Sequence, residues 1–373
     1  MTCTGTSFRP TPADTLATVH KAPRELTTNR LTLRPPSRAD RSLWVGLHRD
    51  PSLYTHAAVA MPDSDEAAAR GFTDCLDRWE SAGFDYGIVV ETNTRTGIGV
   101  GGLRRLRDER GEQVLNLYYR LAGGVHGRGL ATEAARAWTS HALEWLPDLP
   151  VVMKSRSANQ PSVRTALAAG LQPMGSPDDG GGEETASTQL RAPRFEAHDW
   201  FSEETRESLL DLWCAVNDHG GAVGFLPGAP RHQVAQALSV HEEGMADGNT
   251  TGVLLRGPDQ RVVGAGFWVA DRNALLGHTR TGYRIMTHPD LRGRNLGRML
   301  MAAMHRVARD QNVEVVVLDV RSGLGTTRFY EGCGYVEIGR VPGVIRVAPG
   351  DDRDSVVMAR RLDGHPMVAD GRA

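Results

Sequence analysis

The chain has 373 residues, 40% of them hydrophobic and 24% charged, with a formal net charge of −2 at pH 7. This length suits two ordinary domains, and the composition excludes a collagen-like, coiled-coil or wholly disordered protein. The balanced charge argues against a nucleic-acid-binding domain, and the lack of an apolar run of about 18 residues argues against a membrane span.

The four cysteines, Cys3, Cys75, Cys214 and Cys333, lie far apart in the sequence. They form no CxxC pair, and no histidines are spaced as metal ligands, so we expect reduced thiols and no metal. The first residues lack the apolar core of a signal peptide. These features together predict a cytoplasmic protein.

Composition along the chain predicts two domains with flexible segments around them. Residues 1–25, which contain Pro10, Pro12 and Pro23 among Thr and Ala and show no sustained periodicity, are expected to form a loose arm. The acidic, glycine-rich segment 177–192 is expected to be a linker. The predicted domains are therefore residues 26–176 and 193–363. Residues 364–373 lack a pattern and are expected to form a flexible tail.

The two predicted domains carry a weak internal repeat. Three pairs of segments match in the same order, namely 97–103 with 262–267, 126–131 with 292–297, and 169–171 with 333–335, at offsets of about 165, 166 and 164. The first pair is a glycine-rich strand, the second a Gly/Arg turn, and the third the end of a helix. One register held over three landmarks indicates two copies of one fold.

Hydrophobic periodicity predicts the elements between these landmarks. The predicted helices span residues 130–145, 203–216 and 296–307. Ser202 is placed to cap the helix that follows it. Residues 313–320 are almost continuously apolar and β-branched, which is typical of a strand covered on both faces, and 151–153 is its shorter counterpart.

Each Gly/Arg turn joins a predicted strand to a predicted helix, where free backbone N–H groups and the helix dipole favour a phosphate. The glycines that would allow a diphosphate to approach closely are Gly127, Gly129 and Gly293, and the arginines that would add charge are Arg128, Arg294 and Arg298. A plain tight turn with solvated arginines is the alternative. The GxGxxG pattern in residues 97–102 is not interpreted as a dinucleotide fingerprint, because the polar segment 103–108 follows it instead of an amphipathic helix.

The turns resemble the [Arg/Gln]-x-x-Gly-x-[Gly/Ala] loop that holds the acyl-CoA pyrophosphate in the GNAT family of N-acetyltransferases. In the second half, Arg292 and Gly297 fit the first and last positions, while Asn295 stands where the family usually has glycine. In the first half, His126 replaces the leading Arg or Gln. The sequences Ala-Thr-Glu-Ala from Ala131 and Asn-Gln-Pro-Ser from Asn159 resemble the branch that acetylates the N-termini of ribosomal proteins.

The resemblance implies an α/β (α+β) fold of two tandem GNAT domains, each with a mixed, mostly antiparallel twisted sheet, a splayed central strand pair and flanking helices. The splayed strands would be 117–121 and 282–287, and the cosubstrate acetyl-CoA or another acyl-CoA. By resemblance, the cofactor-binding residues are Ile285, Met286, Thr287, Arg292, Gly293, Arg294, Asn295, Leu296, Gly297 and Arg298 in the second half, and His126, Gly127, Arg128, Gly129, Leu130, Ala131 and Asn159 in the first.

The segment 328–335 resembles the family element Phe-Tyr-Glu-x-x-Gly-Phe/Tyr, whose tyrosine commonly protonates the leaving thiolate. This implies that Tyr330 is a catalytic acid, since a phenol with a pKa of about 10 keeps its proton at neutral pH. The alternative is a tyrosine packed on the sheet. The first half has Ala166 at this place, so Ser162 is the candidate donor there, with a helix-capping role as its alternative.

Candidates for the general base are Asp319, His278 and Glu331, and a structural ion pair is an equal explanation for a carboxylate at a strand end. Cys333 lies near Tyr330, but no motif-matched His or Asn accompanies it. We therefore interpret it as a small buried thiol and not as a nucleophile.

These observations predict a tandem acyl-CoA-dependent N-acyltransferase whose second half is better equipped for catalysis. The acceptor would be a primary amine of a small molecule or peptide, and residues 339–346 form a candidate acceptor-side hairpin. Three alternatives stay open: an enzyme like mycothiol synthase, which also has tandem domains; an enzyme that takes its acyl group from an acyl carrier protein; and a non-catalytic acyl-CoA-binding scaffold. No nucleic-acid or membrane partner is expected, and the protein is expected to be a monomer or homodimer.

Overall fold

The computed structural model describes residues 22–56, 58–174 and 187–367. These residues form two twisted sheets of the same layout, each flanked by helices on both faces. In each sheet one central strand pair is parallel, and the other described pairs are antiparallel. The predicted α/β fold with two mixed, mostly antiparallel sheets is therefore confirmed.

The first sheet has eight strands in the order β1-β2-β3-β4-β5-β6-β8-β7. Its strands are β1 Leu26–Thr27, β2 Leu31–Arg34, β3 Tyr86–Glu91, β4 Thr96–Arg107, β5 Gln113–Leu121, β6 Val151–Arg156, β7 Gln172–Pro173 and β8 Ser187–Arg191. Its helices are α1 Arg41–Arg49, α2 Asp65–Ala82, α3 Leu130–Trp145 and α4 Gln160–Ala168.

The second sheet has seven strands in the order β14-β15-β13-β12-β11-β10-β9. Its strands are β9 Arg194–His198, β10 Thr250–Arg256, β11 Val262–Val269, β12 Thr279–Thr287, β13 Val315–Arg321, β14 Val336–Ala348 and β15 Asp351–Arg361. Its helices are α5 Glu203–Asp218, α6 Arg231–Ala246, α7 Leu296–Asp310 and α8 Thr326–Glu331. No helix in the described residues combines the length and hydropathy needed to cross a bilayer.

The local predictions agree well with these elements. The helix predicted at 130–145 is α3, and the one predicted at 296–307 is α7 with one further turn. The Ser202 side chain accepts a hydrogen bond from the Thr205 amide, as expected of an N-cap. The glycine-rich segment 97–102 lies entirely inside β4, which agrees with its rejection as a dinucleotide motif.

The predicted linker 177–192 is wrong at its C-terminal end. Strand β8 pairs with both β6 and β7, so these residues belong to the first sheet. The fully buried Leu190 holds β8 against the core, whereas the glycine-rich composition that suggested a linker belongs to the residues before it. Residues 177–186 lie outside the described residues, as do 1–21 of the predicted arm and 368–373 of the predicted tail.

The parallel strand pair separates part-way along each sheet. Strand β12 pairs with β13 only from Thr279 to Gly282, and β5 pairs with β6 only at Leu115 and Asn116. Beyond these points one edge of β5 and of β12 has no strand partner among the described residues. Each sheet therefore has the V-shaped opening implied by the resemblance to the GNAT family.

The two halves share one continuous apolar core, in which α3 packs against α7. At this contact the Arg309 guanidinium lies 2.5 Å from the Glu144 carboxylate and 4.5 Å from the centre of the Trp145 ring. Both charged side chains are buried, with 8% and 14% of their surface exposed. A second apolar core lies on the opposite face of the second sheet, under α5 and α6.

Candidate functional site

The two Gly/Arg turns have the same backbone conformation. Gly127 and Gly129 in the first turn both have φ of 75°, and Gly293 and Asn295 at the matching places have φ of 78° and 63°. These values lie in the left-handed region, which glycine enters without strain and which Asn tolerates better than most residues. Asn295 stands at the position where the family usually has glycine, and it therefore preserves the shape of the turn.

Each turn leads directly into a long helix, α3 or α7. The first amides of such a helix have no partner within the helix, so they are available to an anion. The exposed Arg294 guanidinium has no hydrogen bond or ion pair to any other described residue. Arg298 instead donates a hydrogen bond to the Gly332 carbonyl. In the second half, Arg294 is thus the arginine most available to a phosphate.

The first turn is more fully occupied by contacts within the protein. Arg128 forms an ion pair with Glu91, and its carbonyl accepts a hydrogen bond of 3.0 Å from Arg30. The imidazole Nε2 of His126 lies 2.9 Å from the carbonyl of Leu121, the last residue of the preceding strand β5. These contacts leave the first turn with less free charge than the second.

The second turn rests against the first domain. Asn295 Nδ2 lies 3.1 Å from the Arg136 carbonyl and 3.3 Å from the Ala169 carbonyl, and it also reaches the hydroxyls of Thr139 and Ser140. Arg136 in turn donates a hydrogen bond to the Gly293 carbonyl. The sequence analysis did not foresee this contact, because nothing in a local motif indicates which surface a neighbouring domain will cover.

The predicted strand residues Ile285, Met286 and Thr287 lie on the part of β12 that has separated from β13. Met286 packs into the core under α5 and α6, whereas Ile285 packs towards α7. The backbone groups of this segment that point into the opening are free to bind an extended ligand.

Tyr330 lies in α8, half-buried, with its ring 5.1 Å from Phe329 and 5.7 Å from Tyr335. Its hydroxyl has no hydrogen-bond partner among the described residues. Burial holds the pKa of Tyr330 well above its ordinary value, so the phenol keeps its proton at neutral pH. A protonated, unpartnered hydroxyl has the chemistry required of a proton donor.

The first half offers a different arrangement. The Tyr119 hydroxyl lies 2.7 Å from the Ser162 carbonyl and 3.2 Å from the Ser162 hydroxyl, so it bridges β5 and α4. Burial raises the pKa of Tyr119 to about 12. The cap of α4 is Asn159, which accepts from the Ser162 amide, so the capping alternative for Ser162 is wrong. The Asn159 side chain is also engaged in this cap.

The base candidates differ in position. Asp319 lies on β13 just beyond the point of separation, where its exposed carboxylate accepts a hydrogen bond of 3.3 Å from the Ser355 hydroxyl. His278 precedes β12, four residues before Gly282, where the opening begins, and it stays a candidate. Glu331 is exposed at the end of α8.

The cysteines carry no catalytic signature. Cys75, Cys214 and Cys333 are free thiols, and Cys3 lies outside the described residues. Burial raises the pKa of Cys333 to about 11, so the thiol is almost entirely protonated at neutral pH. No group of His, Cys, Asp and Glu side chains in the described part of the chain is arranged to hold a metal ion.

Residues 30–172 match the family model of an acetyltransferase (GNAT) domain, and residues 250–337 match a second model with the same description. The chain belongs to the GNAT acetyltransferases. The assignment of two tandem GNAT domains from the sequence is therefore confirmed. No curated protein matches the chain.

Solved GNAT structures match about half of the chain. A ribosomal-protein-alanine N-acetyltransferase from Brucella melitensis is 17% identical, with 44% of this chain and 99% of that chain covered and a TM-score of 0.37. An acetyltransferase from Bacillus anthracis is 15% identical, with coverage of 45% and 96% and a TM-score of 0.38. One from Streptococcus pneumoniae is 14% identical, with coverage of 45% and 99% and a TM-score of 0.38.

Proposed function

We propose that this GNAT protein is an acyl-CoA-dependent N-acyltransferase, with acetyl-CoA as the first donor to test, that acylates a primary amine of a small molecule or peptide. The observation that carries the proposal is the combination found in the second domain. This domain combines three features: a turn with left-handed residues at Gly293 and Asn295, a strand edge that is open beyond Gly282, and the Tyr330 hydroxyl, which has no hydrogen-bond partner among the described residues.

In this proposal the diphosphate of the donor binds the amides at the start of α7, with Arg294 beside it. The pantetheine arm follows the open edge of β12 to the V-shaped opening. There a backbone N–H stabilises the oxyanion that forms when the neutral amine attacks the thioester carbonyl. The C–N bond forms, the C–S bond breaks, and Tyr330 gives its proton to the departing thiolate. The attacking nitrogen loses its extra proton to solvent or to a base, and the Tyr330 phenolate takes up a proton from solvent.

The first domain is proposed to support the second and not to carry the same reaction. Arg128 is engaged by Glu91, and Ala166 stands where the second domain has its tyrosine. The contacts from Arg136 and its neighbours to the second turn give the first domain a structural role.

The first test counts bound acetyl-CoA by native mass spectrometry. One molecule per chain, lost in Arg294→Gln and kept in Arg128→Gln, would support a single donor site in the second domain. Two molecules would mean that the first domain is also a working site. None would point to an acyl carrier protein as donor, or would contradict the interpretation of the turn.

The second test is Tyr330→Phe, which removes the hydroxyl but keeps the ring. We expect turnover to fall about 10²-fold or more, with acetyl-CoA binding retained, because only the proton transfer is lost. Tyr119→Phe is the matched control, since it removes a buried hydroxyl from the other domain. If the protein binds acetyl-CoA but transfers the acetyl group to no amine, both unchanged and as Tyr330→Phe, it is a scaffold and not an enzyme.

A further inference from the structure

A half-buried cation without a hydrogen-bonding or ionic partner among the described residues lies beside the opening in the second domain. Arg284 sits on β12, and its guanidinium has neither a hydrogen bond nor an ion pair with any other described residue. Its Nε is buried and unsatisfied. The guanidinium lies 5.6 Å from the centre of the Trp213 ring and directly against Gly224, where a side chain would collide with it.

A local irregularity places this side chain. Phe267 of β11 pairs with Tyr283, and Ala265 pairs with Met286, so two residues of β12 stand opposite the single Gly266. This is a β-bulge, and Arg284 within it has φ of 50°. The bulge turns the Arg284 side chain under the loop between α5 and α6.

A cation that is partly buried and unpaired is unfavourable for a protein. Partial burial of the Arg284 guanidinium without a counter-charge is unfavourable, and its buried, unsatisfied Nε adds to this cost. Burial accordingly lowers the pKa of Arg284. An anion bound in the assembled site would remove the penalty, and the planar fork of an arginine fits a carboxylate in a bidentate arrangement.

Arg284 lies on the face of the sheet opposite the proposed donor. Trp213 and Phe267 belong to the core under α5 and α6, whereas Leu296 and Tyr330 pack in the core on the α7 side. A donor whose diphosphate lies at the start of α7 enters the opening from the α7 side. The acceptor amine therefore has to arrive from the α5 and α6 side, where Arg284 lies.

The first domain also has an arginine on its separated strand, but at another register position, because Arg120 pairs with Val100 in a stretch of β5 that has no bulge. Arg120 lies on β5, its guanidinium carbon is 3.6 Å from the centre of the Tyr54 ring, and its buried Nη1 has no hydrogen-bond partner. It too has no ion pair with any other described residue. Arg120 and Arg284 are therefore not equivalent positions of the repeat, although each lies on a strand that separates from its parallel neighbour.

From this geometry we propose that Arg284 binds a carboxylate of the acceptor, so that the amines acylated by the second domain are amino acids or similar small amines that carry a carboxylate. This inference rests on the proposed function, because Arg284 would hold the acceptor in the opening while its amine is acylated. The carboxylate binding itself is measurable without any turnover.

The test uses titration calorimetry with three product-like probes, N-acetyl-leucine, N-acetyl-phenylalanine and N-acetyl-glutamine, and with the carboxamide of each. We expect at least one acid to bind and its carboxamide to bind at least about tenfold more weakly, as loss of a charge-assisted hydrogen bond predicts. Arg284→Met should weaken the acid by a similar factor, and Arg284→Lys by less. Equal binding of acid and amide, or no binding of any acid, would overturn the proposal.

Arg280→Gln is the matched control. Arg280 lies on the same strand, but its Nη1 already donates to the carbonyls of Gly277 and Thr279, so its loss should leave acid binding unchanged. A CoA-release assay separates the two proposals. Transfer to amines with and without a carboxylate at equal rates, unaffected by Arg284→Met, would remove only the inference. Acid binding without transfer to any amine would remove the proposed enzyme and its acceptor class, and would leave only a carboxylate-binding site at Arg284.

Discussion

Replacing Asn295 should destabilise the contact between the domains while leaving the donor turn in shape. Its Nδ2 lies within 3.1–3.3 Å of four acceptors on the first domain, but an amide has two hydrogens and donates two bonds at a time. Each such bond contributes about 0.5–1.5 kcal/mol net. Loss of both in Asn295→Gly should therefore cost about 1–3 kcal/mol, partly offset because the buried, unpartnered Oδ1 also disappears.

Asn295→Ala should cost about 1 kcal/mol more than Asn295→Gly, because alanine is strained at φ of 63° whereas glycine is not. Arg294→Gln is the matched control in the same turn. Its exposed side chain makes no contact that the substitution would break, so stability should not change. The two substitutions should also differ in their effect on donor binding: the affinity for acetyl-CoA is retained in Asn295→Gly and reduced in Arg294→Gln.

Stability is best measured by urea unfolding followed by tryptophan fluorescence, together with hydrogen exchange of the first turn of α7, because a chain with two domains need not unfold in one transition. Faster exchange in the glycine variant, and still faster exchange in the alanine variant, is the expected order. A glycine variant as stable as the unchanged protein would refute the contribution of the amide. An alanine variant equal to the glycine variant would refute the left-handed conformation.

Three further predictions concern stability. Glu144→Ala leaves the buried Arg309 without its carboxylate and should cost about 3–5 kcal/mol in urea unfolding, whereas a double change of both residues to apolar ones should cost less. Gly101→Ala should lower the thermal midpoint through about 1–3 kcal/mol of overpacking, since its methyl group would collide with the Trp138 ring. Burial lowers the pKa of His141 to about 4. As the pH is lowered, the unfolded chain therefore binds this proton before the folded chain does. The free energy of unfolding should decrease between about pH 6.5 and pH 4, by at most about 1.4 kcal/mol per pH unit. His141→Gln should reduce this slope.

Short-range signals in the sequence predicted much of the fold. The helix after each turn follows from apolar residues at a 3.6-residue period, and the start of α5 follows from Ser202. The repeat predicted two copies of one architecture. The left-handed backbone at Asn295 was also accessible, because few residues other than glycine and asparagine adopt it.

What the sequence did not predict depends on contacts between distant segments. Strand β8 is short and contains one fully buried residue, Leu190, so only its pairing with β6 and β7 identifies it. The contact of Asn295 with Arg136 depends on how the domains pack. The burial of Arg284 depends on a bulge, and a bulge is a property of two strands and not of one.

The bulge in β12 also explains a detail of the repeat and limits how the two domains can be recombined. Gly99 and Gly264 are 165 positions apart, whereas their strand partners Leu121 and Thr287 are 166 apart, so the second copy holds one more residue between these points. A chimera that exchanges β5 and β12 has to carry this residue with its strand. Without it, every side chain on one side of the junction would move to the opposite face of the sheet, and residues of the core under α5 and α6 would exchange places with those that pack towards α7.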